Sequence, residues 1–331
     1  MADPITIRPF QPGDETSLLA GHNQIFPQRS LAHWQWKFRD NPTGLMHTMV
    51  AAHEEHGLVG AYVTIPARFV VNGKPQIGGQ CVDLWVLPDW RRHGPRPGLF
   101  VNLALAHYER WGGRGADQNA FHYGWPIATW RIGQKYLRYE IVRDWDLLFR
   151  EVPPGGFPAR PRTDDVVVRS VARFDQDTTA LWTAMAPTMQ LAIVRDAKYL
   201  NWRYADAHDA EYELFECRDR RSNALRGVMV LRLCDFLVPN TCYIVDWLVP
   251  SNDGDATVSL LATAEQRATA LHANVLTTLF QHRDPRFVPF QKLGFLVYGS
   301  EYFQVVIPFG AEETQFYREQ WYCTLGDSDL V

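Results

Sequence analysis

The sequence lacks three features that would assign it to common classes of protein. No stretch approaches the roughly 18 consecutive apolar residues of a membrane span, and the N-terminal residues form no apolar leader segment. The five cysteines are odd in number and lack CxxC spacing, which favours a reducing compartment and argues against a zinc site. A net charge of −4 gives no general basic field for nucleic acid. We therefore expect a cytoplasmic protein without a membrane anchor, a bound metal or a nucleic-acid partner.

Two familiar phosphate-binding motifs, the Walker A loop and the GxGxxG dinucleotide motif, are also missing. The sequence has instead a basic loop between a predicted strand, with Val82, Leu84 and Val86 in alternation, and a predicted helix that begins near Leu99. Pro88 ends the strand because proline has no backbone N–H. The cations and glycines of the loop are Arg91, Arg92, His93, Gly94, Arg96 and Gly98. A basic loop before a helix N-terminus is typical of a phosphate site, although a basic surface turn has the same pattern.

This loop resembles the acyl-CoA pyrophosphate loop of the GNAT N-acyltransferases, whose pattern is V-x-P-x-x-[RQ]-x-x-G-x-[GA]. Val86, Pro88, Arg91 and Gly94 match the pattern, whereas Arg96 stands in place of its final small residue. The predicted order of elements over about the first 150 residues, β-α-α-β-β-β-α-β-α-β, is also the GNAT order. The resemblance therefore extends beyond the loop to the whole first half of the chain.

The resemblance implies a donor substrate, acetyl-CoA or another acyl-CoA, and it implies which residues bind that donor. Main-chain groups of Leu84, Val86 and Leu87 would hold the pantetheine arm and supply a hydrogen bond to the oxyanion. The loop residues that would hold the pyrophosphate are Arg91, Arg92, His93, Gly94, Arg96 and Gly98. No metal is implied.

The second half of the chain repeats four segments of the first half in the same order. The paired segments are 36–40 with 202–206, 58–63 with 225–230, 82–88 with 245–250, and 135–139 with 291–295. A Pro- and Gly-rich stretch lies between the copies. We predict two tandem GNAT-like α/β domains, each with a mixed, mostly antiparallel sheet flanked by helices. Their bounds are 1–152 and 166–331, joined by a linker at 153–165, and the second domain is degenerate and ends in a C-terminal tail.

The second copy has lost the cations of the loop. Pro250 is followed by Ser-Asn-Asp-Gly-Asp-Ala, whose two carboxylates would repel a pyrophosphate. We therefore expect acyl-CoA to bind only to the first copy.

Asp83 and Asp246 are candidate residues for handling an amine substrate. A free amine has a pKa of about 10 and must lose a proton before it attacks a thioester. In polyamine-type GNAT members two acids precede the loop motif, and Asp83 matches the second of them while Val82 stands in place of the first. An acid that pairs with an arginine at a strand end is the alternative for Asp83. Asp246 occupies the equivalent place in the second copy, where it would line the same cleft or serve the structure.

His122 is another candidate base, acting through a water molecule, because imidazole titrates near neutral pH. A buried core histidine is the alternative. In many GNAT members a tyrosine four residues before the glycine of a Leu-Gly-Phe ending protonates the departing thiolate. Gln134 stands at that position here, so Tyr136 and Tyr123 are the nearby substitutes.

Together these features predict an N-acyltransferase that moves an acyl group such as acetyl from acyl-CoA to a primary amine. The acceptor would be a small molecule, an amino sugar or a conjugate. Two alternatives stay open. Pro95 and Pro97 remove possible N–H donors from the loop, which favours a non-catalytic CoA-binding or scaffold protein. A donor carried on an acyl carrier protein has no adenosine 3′-phosphate and would need only a weaker loop. The oligomeric state is not predicted.

Overall fold

A computed structural model of the protein contains two compact units, and each unit takes segments from both halves of the chain. The described residues are 5–126, 130–160, 163–208 and 210–331. Unit 1 comprises the chain up to residue 69, residues 75–143 and residues 302–318, and unit 2 comprises residues 70–74, 144–301 and 319–331. In these described ranges no helix is both long and apolar enough to cross a membrane.

The first half of the chain has the predicted order of strands and helices. Its elements are β1 Ile5–Pro9, α1 Glu15–Ile25, α2 Leu31–Trp34, β2 His47–His53, β3 Gly57–Val71, β4 Lys74–Val86, α3 Leu99–Trp111, β5 Asn119–Gly124, α4 Trp130–Tyr136 and β6 Glu140–Glu151. The helix α2 continues as a π-helical segment at Gln35–Arg39, and a single 3-10 turn at Pro88–Trp90 follows β4.

The second half follows a similar order. Its elements are β7 Val166–Val171, α5 Gln176–Met185, β8 Leu191–Ile193, α6 Ala197–Leu200, β9 Glu213–Asp219, β10 Leu225–Cys234, β11 Thr241–Leu248, α7 Gly254–Ala270, β12 Val275–Thr278, α8 Phe287–Lys292, β13 Leu296–Pro308 and α9 Thr314–Gln320. The helix α6 also continues as a π-helical segment, at Asn201–Ala205. The repeated segments 36–40 and 202–206 thus share an uncommon local structure.

Each unit contains a mixed sheet, which confirms the predicted fold class. In unit 1 the strand order is β1-β2-β3-β4-β5-β13, and in unit 2 it is β6-β12-β11-β10-β9-β7. Most neighbours are antiparallel, such as β1 with β2 and β10 with β11. Each unit also includes a parallel pair of strands, β4 with β5 in unit 1 and β11 with β12 in unit 2.

The two compact units differ from the division predicted at residues 152 and 153. The strand β6 passes from unit 1 to unit 2 after residue 143, and β13 passes from unit 2 to unit 1 after residue 301. Alternation of apolar residues identifies such strands, but it does not say which strand they pair with, because pairing depends on distant parts of the chain. Residues 161 and 162 of the predicted linker lie outside the described residues.

The core of unit 1 lies between α3 and one face of the sheet. The buried residues Leu99, Leu103, His107 and Trp111 recur every fourth position, so they share one face of the helix. That face packs against sheet residues Met49, Ala51, Val59, Tyr62, Val86, Val305 and Ile307. This packing fixes the position of α3, and one loop joins the N-terminus of α3 to the end of β4.

Candidate active site

The strands β4 and β5 separate part-way along their length. Their parallel pairing runs from Ile77 opposite Asn119 to Gln80 opposite Tyr123, and the described pairing ends there, although β4 continues to Val86. A cleft of about 660 Å³ opens where the strands diverge. Such a separation leaves a strand edge against which an extended ligand can form main-chain hydrogen bonds.

At Asp83, beside this cleft, the side chains of β4 cease to alternate regularly between the two faces of the sheet. Its φ of 52° is left-handed, which is uncommon for a residue other than glycine but tolerated by aspartate. Cys81 and Leu84 both pack on the α3 side of the sheet, although regular alternation would place residues three apart on opposite faces. This break in alternation is that of a β-bulge, and it turns Asp83 toward cations carried by α1, α2 and their adjoining segments.

The loop after β4 brings one cation to the cleft. Arg91 lines the cleft, and its Nε donates to the carbonyl oxygen of Val86 at 3.3 Å. Gly98, with a φ of 131°, directly precedes α3, and a Cβ there would lie 2.9 Å from the carbonyl oxygen of Arg91. The first-turn N–H groups of a helix have no intrahelical partner, so the start of α3 and Arg91 together form a cationic end of the cleft.

The predicted donor-binding residues divide into two groups. The cleft is lined by Leu84, Val86, Arg91 and Gly98. The other predicted residues, Arg92, His93, Gly94, Arg96 and Leu87, do not line it. Leu87 is already engaged, since its N–H donates to Val59 and its carbonyl accepts from Trp90, both at 2.9 Å. The four others are exposed on the loop.

Asp83 lines the cleft as a paired carboxylate. Its Oδ2 accepts from Arg29 Nη1 at 2.5 Å and from Lys37 Nζ at 3.0 Å, and His22 Nε2 lies 3.7 Å from Oδ1. Burial would raise the pKa of Asp83, but Lys37, His22 and Arg29 outweigh burial and lower that pKa well below its usual value. The carboxylate therefore stays ionised and is a poor proton acceptor, which argues against Asp83 as the base.

His122 lies in the core rather than in the cleft. It is fully buried, its Nε2 lies 2.9 Å from Asn119 Nδ2, and its ring packs against those of His107 and Phe309. Burial lowers the pKa of His122, and the neighbouring His107 and His47 lower it further. The proposed role as a base is not supported, because the ring lies away from the cleft and its lowered pKa makes it a weak proton acceptor.

The histidine cluster of His47, His107 and His122 predicts a loss of stability in acid. Burial lowers the pKa of His47 to about 4 and that of His107 to about 3, from an ordinary value of 6.5. As pH falls below 6.5 the unfolded chain binds protons that the folded protein excludes, so the free energy of unfolding falls with pH. We expect His107→Phe to reduce that slope by up to about 1.4 kcal/mol per pH unit between pH 6 and 4. Urea unfolding at several pH values measures the slope.

The matched control is the exposed His56 of the same unit. The variant His56→Asn should retain the slope of the unchanged protein. Equal slopes for His107→Phe and His56→Asn would show that the buried cluster does not cause the acid dependence.

Tyr139, rather than Tyr136, is the tyrosine that lines the cleft. Tyr136 is 41% exposed at the end of α4, where its ring lies beside Lys135, and it does not line the cleft. Tyr139 does line it, and its hydroxyl bonds with those of Tyr62 and Tyr108. Burial raises the pKa of Tyr139, which therefore remains protonated and able to donate.

The repeat contains the signal that would have identified Tyr139. Arg138 and Gly294 stand at equivalent places and both have left-handed φ values, 60° and 99°. Tyr139 therefore corresponds to Phe295, the aromatic residue that follows the glycine in the second copy. Alignment of the two copies thus singles out position 139 as an inward aromatic position.

Asp246 lies in unit 2 and does not line the cleft. Its Oδ1 accepts from Arg195 Nε at 2.9 Å and its Oδ2 accepts from the Tyr204 hydroxyl at 2.8 Å. Arg195 is fully buried and also pairs with Asp327. A Cβ on Gly326 would lie only 3.2 Å from Asp246 Oδ2, so the tail covers this carboxylate. Of the two readings for Asp246, the structure supports the structural one.

Metal chemistry has no evident location in the part of the chain that the structure describes. No group of three or more His, Cys, Asp or Glu side chains there could hold a metal ion.

Comparisons with known proteins identify the fold. No family model matches the sequence, and no curated protein matches it either. Similar solved structures include a conserved Enterococcus faecalis protein, a probable N-acyltransferase, with a TM-score of 0.69 and 12% identity over 96% of this chain and 75% of that one. A GCN5-related N-acetyltransferase from Anabaena variabilis has a TM-score of 0.66 and 12% identity over 93% and 73%. Eis1 from Mycobacterium abscessus has a TM-score of 0.58 and 14% identity over 92% and 74%.

These similarities show that the chain has the fold of the GCN5-related N-acetyltransferases over more than nine tenths of its length. The resemblance predicted from the loop and the element order is confirmed at the level of the fold. The chain spans about three quarters of each matched structure.

Proposed function

We propose that the protein is an N-acyltransferase whose unit 1 moves an acyl group from acyl-CoA to a primary amine. The cleft between β4 and β5 carries this proposal. It offers a strand edge for an extended pantetheine arm, and it ends at Arg91 and the N-terminus of α3, where a pyrophosphate would be stabilised. The similarity to N-acetyltransferase folds supports the same assignment.

The proposed reaction forms a C–N bond at the thioester carbonyl and breaks its C–S bond. The main-chain N–H of Leu84 or Val86, on the cleft-lining part of β4, would stabilise the oxyanion. Tyr139 lines the cleft and its raised pKa keeps it protonated, which makes it the candidate to give a proton to the departing thiolate, while the proton that the amine loses passes to solvent. Lys37 and Arg29 pair with Asp83 and so hold this part of the cleft wall in position.

A thiol-release assay with a panel of acyl-CoAs and amines tests the proposed function directly. Amine-dependent release of CoA would support the enzyme. Tight CoA binding without release from any amine would favour a non-catalytic CoA-binding protein. Release from an acylated carrier protein but not from acyl-CoA would identify the other donor.

Arg91 is expected to contribute to CoA affinity and Arg92 is not. Arg91→Glu replaces a cation at the cleft by an anion, so we expect CoA to bind at least tenfold more weakly, about 1.4 kcal/mol. Arg92→Glu makes the same charge change at the neighbouring position, which does not line the cleft. Its CoA affinity should change less than threefold in calorimetry. Equal losses in the two variants would point to a general charge effect and remove the cleft from the CoA site.

A further inference from the structure

Much of the cleft wall consists of apolar and aromatic side chains. These residues are Ile25 and Phe26 at the end of α1, Trp85 on β4, Trp125 and Pro126 after β5, and Ile132 on α4. An apolar wall of this kind favours burial of an aromatic or aliphatic group and disfavours an unpaired charge.

Asp83 is the sole carboxylate among the described residues that line this cleft. It already accepts from Lys37 and Arg29, and its side chain is only 10% exposed. A polyamine, or an amino sugar with several ammonium groups, would need a carboxylate or similar partner for each charge that it buries. The described residues that line the cleft thus offer a wall for an apolar body but no second acid for a second ammonium group.

We propose that the acceptor is a monoamine with an apolar body, and that the wall formed by Ile25, Phe26, Trp125 and Ile132 selects it against polyamines. This inference rests on the proposed function and narrows it to one chemical class. The reactive nitrogen loses its proton before it forms the C–N bond, so it enters the product as a neutral amide. A second ammonium group would stay charged throughout and would remain against the apolar wall.

Hexylamine and 1,6-diaminohexane form a matched pair for testing the acceptor class. They have the same chain length and differ only by the second ammonium group. With acetyl-CoA as donor, we expect kcat/KM for hexylamine to exceed that for 1,6-diaminohexane at least tenfold. An equal or higher value for the diamine, with release observed, would overturn the acceptor proposal and leave the proposed function standing.

The variant Ile132→Asp adds an acid to the apolar wall at a side chain that is 42% exposed, so the fold should tolerate it. We expect it to raise the ratio of kcat/KM for the diamine to that for the monoamine at least fivefold. Tyr136→Asp is the control, because Tyr136 lies one turn further along α4, is equally exposed and does not line the cleft. A ratio that rises equally in both variants, or in neither, would contradict selection by this wall.

Failure of the proposed function gives a separate result. If no amine releases CoA, calorimetry of hexylamine and 1,6-diaminohexane with the CoA-bound protein still measures the preference. Tighter binding of hexylamine than of 1,6-diaminohexane would support the acceptor class for a binding protein, provided that this preference is reduced in Ile132→Asp and unchanged in Tyr136→Asp. Equal binding of both amines, or binding of neither, would reject it.

Discussion

Asp246→Ala is expected to lower the free energy of unfolding by about 3–5 kcal/mol, the usual cost of leaving a buried charge without its partner. Arg195 is fully buried and would lose its bond to Asp246, and the Tyr204 hydroxyl would lose its acceptor. Asp327 would remain beside Arg195. Burial raises the pKa of Asp327, so keeping that carboxylate ionised opposite Arg195 costs free energy. Urea unfolding of the full chain measures the loss.

Asp206→Ala is the matched control in the same unit. Asp206 pairs with Arg173 on the surface, where both side chains are about half exposed. Exposed pairs contribute less than about 1 kcal/mol, so this variant should remain close to the unchanged protein. A similar loss in both variants would mean that Asp246 is not the centre of a buried network.

Asp83→Asn should lower both stability and activity without changing the form of the pH profile. Lys37 is 4% exposed and would lose a charged partner, so the melting temperature should fall. Loss of the pairs with Lys37 and Arg29 should disturb the cleft wall at position 83 and lower kcat/KM for the amine by up to about 100-fold. The pKa of Asp83 is lowered, so the carboxylate stays ionised throughout the assay range and cannot produce the acid limb. Kinetics from pH 6 to 9 and a thermal melt on one preparation test this.

Asp14→Asn is the control for Asp83, since Asp14 also pairs with an arginine, Arg8, but does not line the cleft. It should reduce stability modestly and leave kcat/KM per folded molecule unchanged. Loss of the acid limb in Asp83→Asn alone would show that Asp83 is the base after all.

The loop could be predicted from sequence because it is a local structure. Val86, Pro88, Arg91 and Gly98 follow one another closely, and each has a local role: the strand end, the turn, the cation and the helix start. Local patterns of this kind depend on a few neighbouring residues. The same pattern did not reveal that only Arg91 among the loop cations lines the cleft, because that depends on how the loop folds back over Val86.

The partners of Asp83 could not be predicted because they come from distant segments. Arg29 and Lys37 precede it by 54 and 46 residues, and nothing in their spacing shows that they meet one carboxylate. The β-bulge has the same origin, since strand alternation predicts regular faces. The repeat held a partial signal, because Arg195 and Asp246 in the second copy stand at the places of Arg29 and Asp83 and form the same ion pair.

The positions of His122 and Tyr139 illustrate a second limit. Both are buried, so polarity and periodicity treat them alike. Both contact residues of α3, His122 through His107 and Tyr139 through Tyr108. What separates them is whether the residue reaches the cleft, and that follows from the separation of β4 and β5. The choice of His122 as a candidate base, made from its side-chain chemistry alone, therefore selected a core histidine.

The strand β13, from the second half of the chain, ends in unit 1, and this has a consequence for synthesis on the ribosome. Residues 302–308 form the strand beside β5, and they are made about 180 residues after β5 itself. At about 5–20 residues per second, the β5 edge stays open for roughly 10–35 s in the nascent chain. Open strand edges pair readily with other chains, so this interval is the period of greatest exposure to aggregation and to chaperones. A chain shortened to its first copy could never close that edge. The second copy thus supplies a strand that completes the sheet of unit 1, even though its own loop has lost the cations.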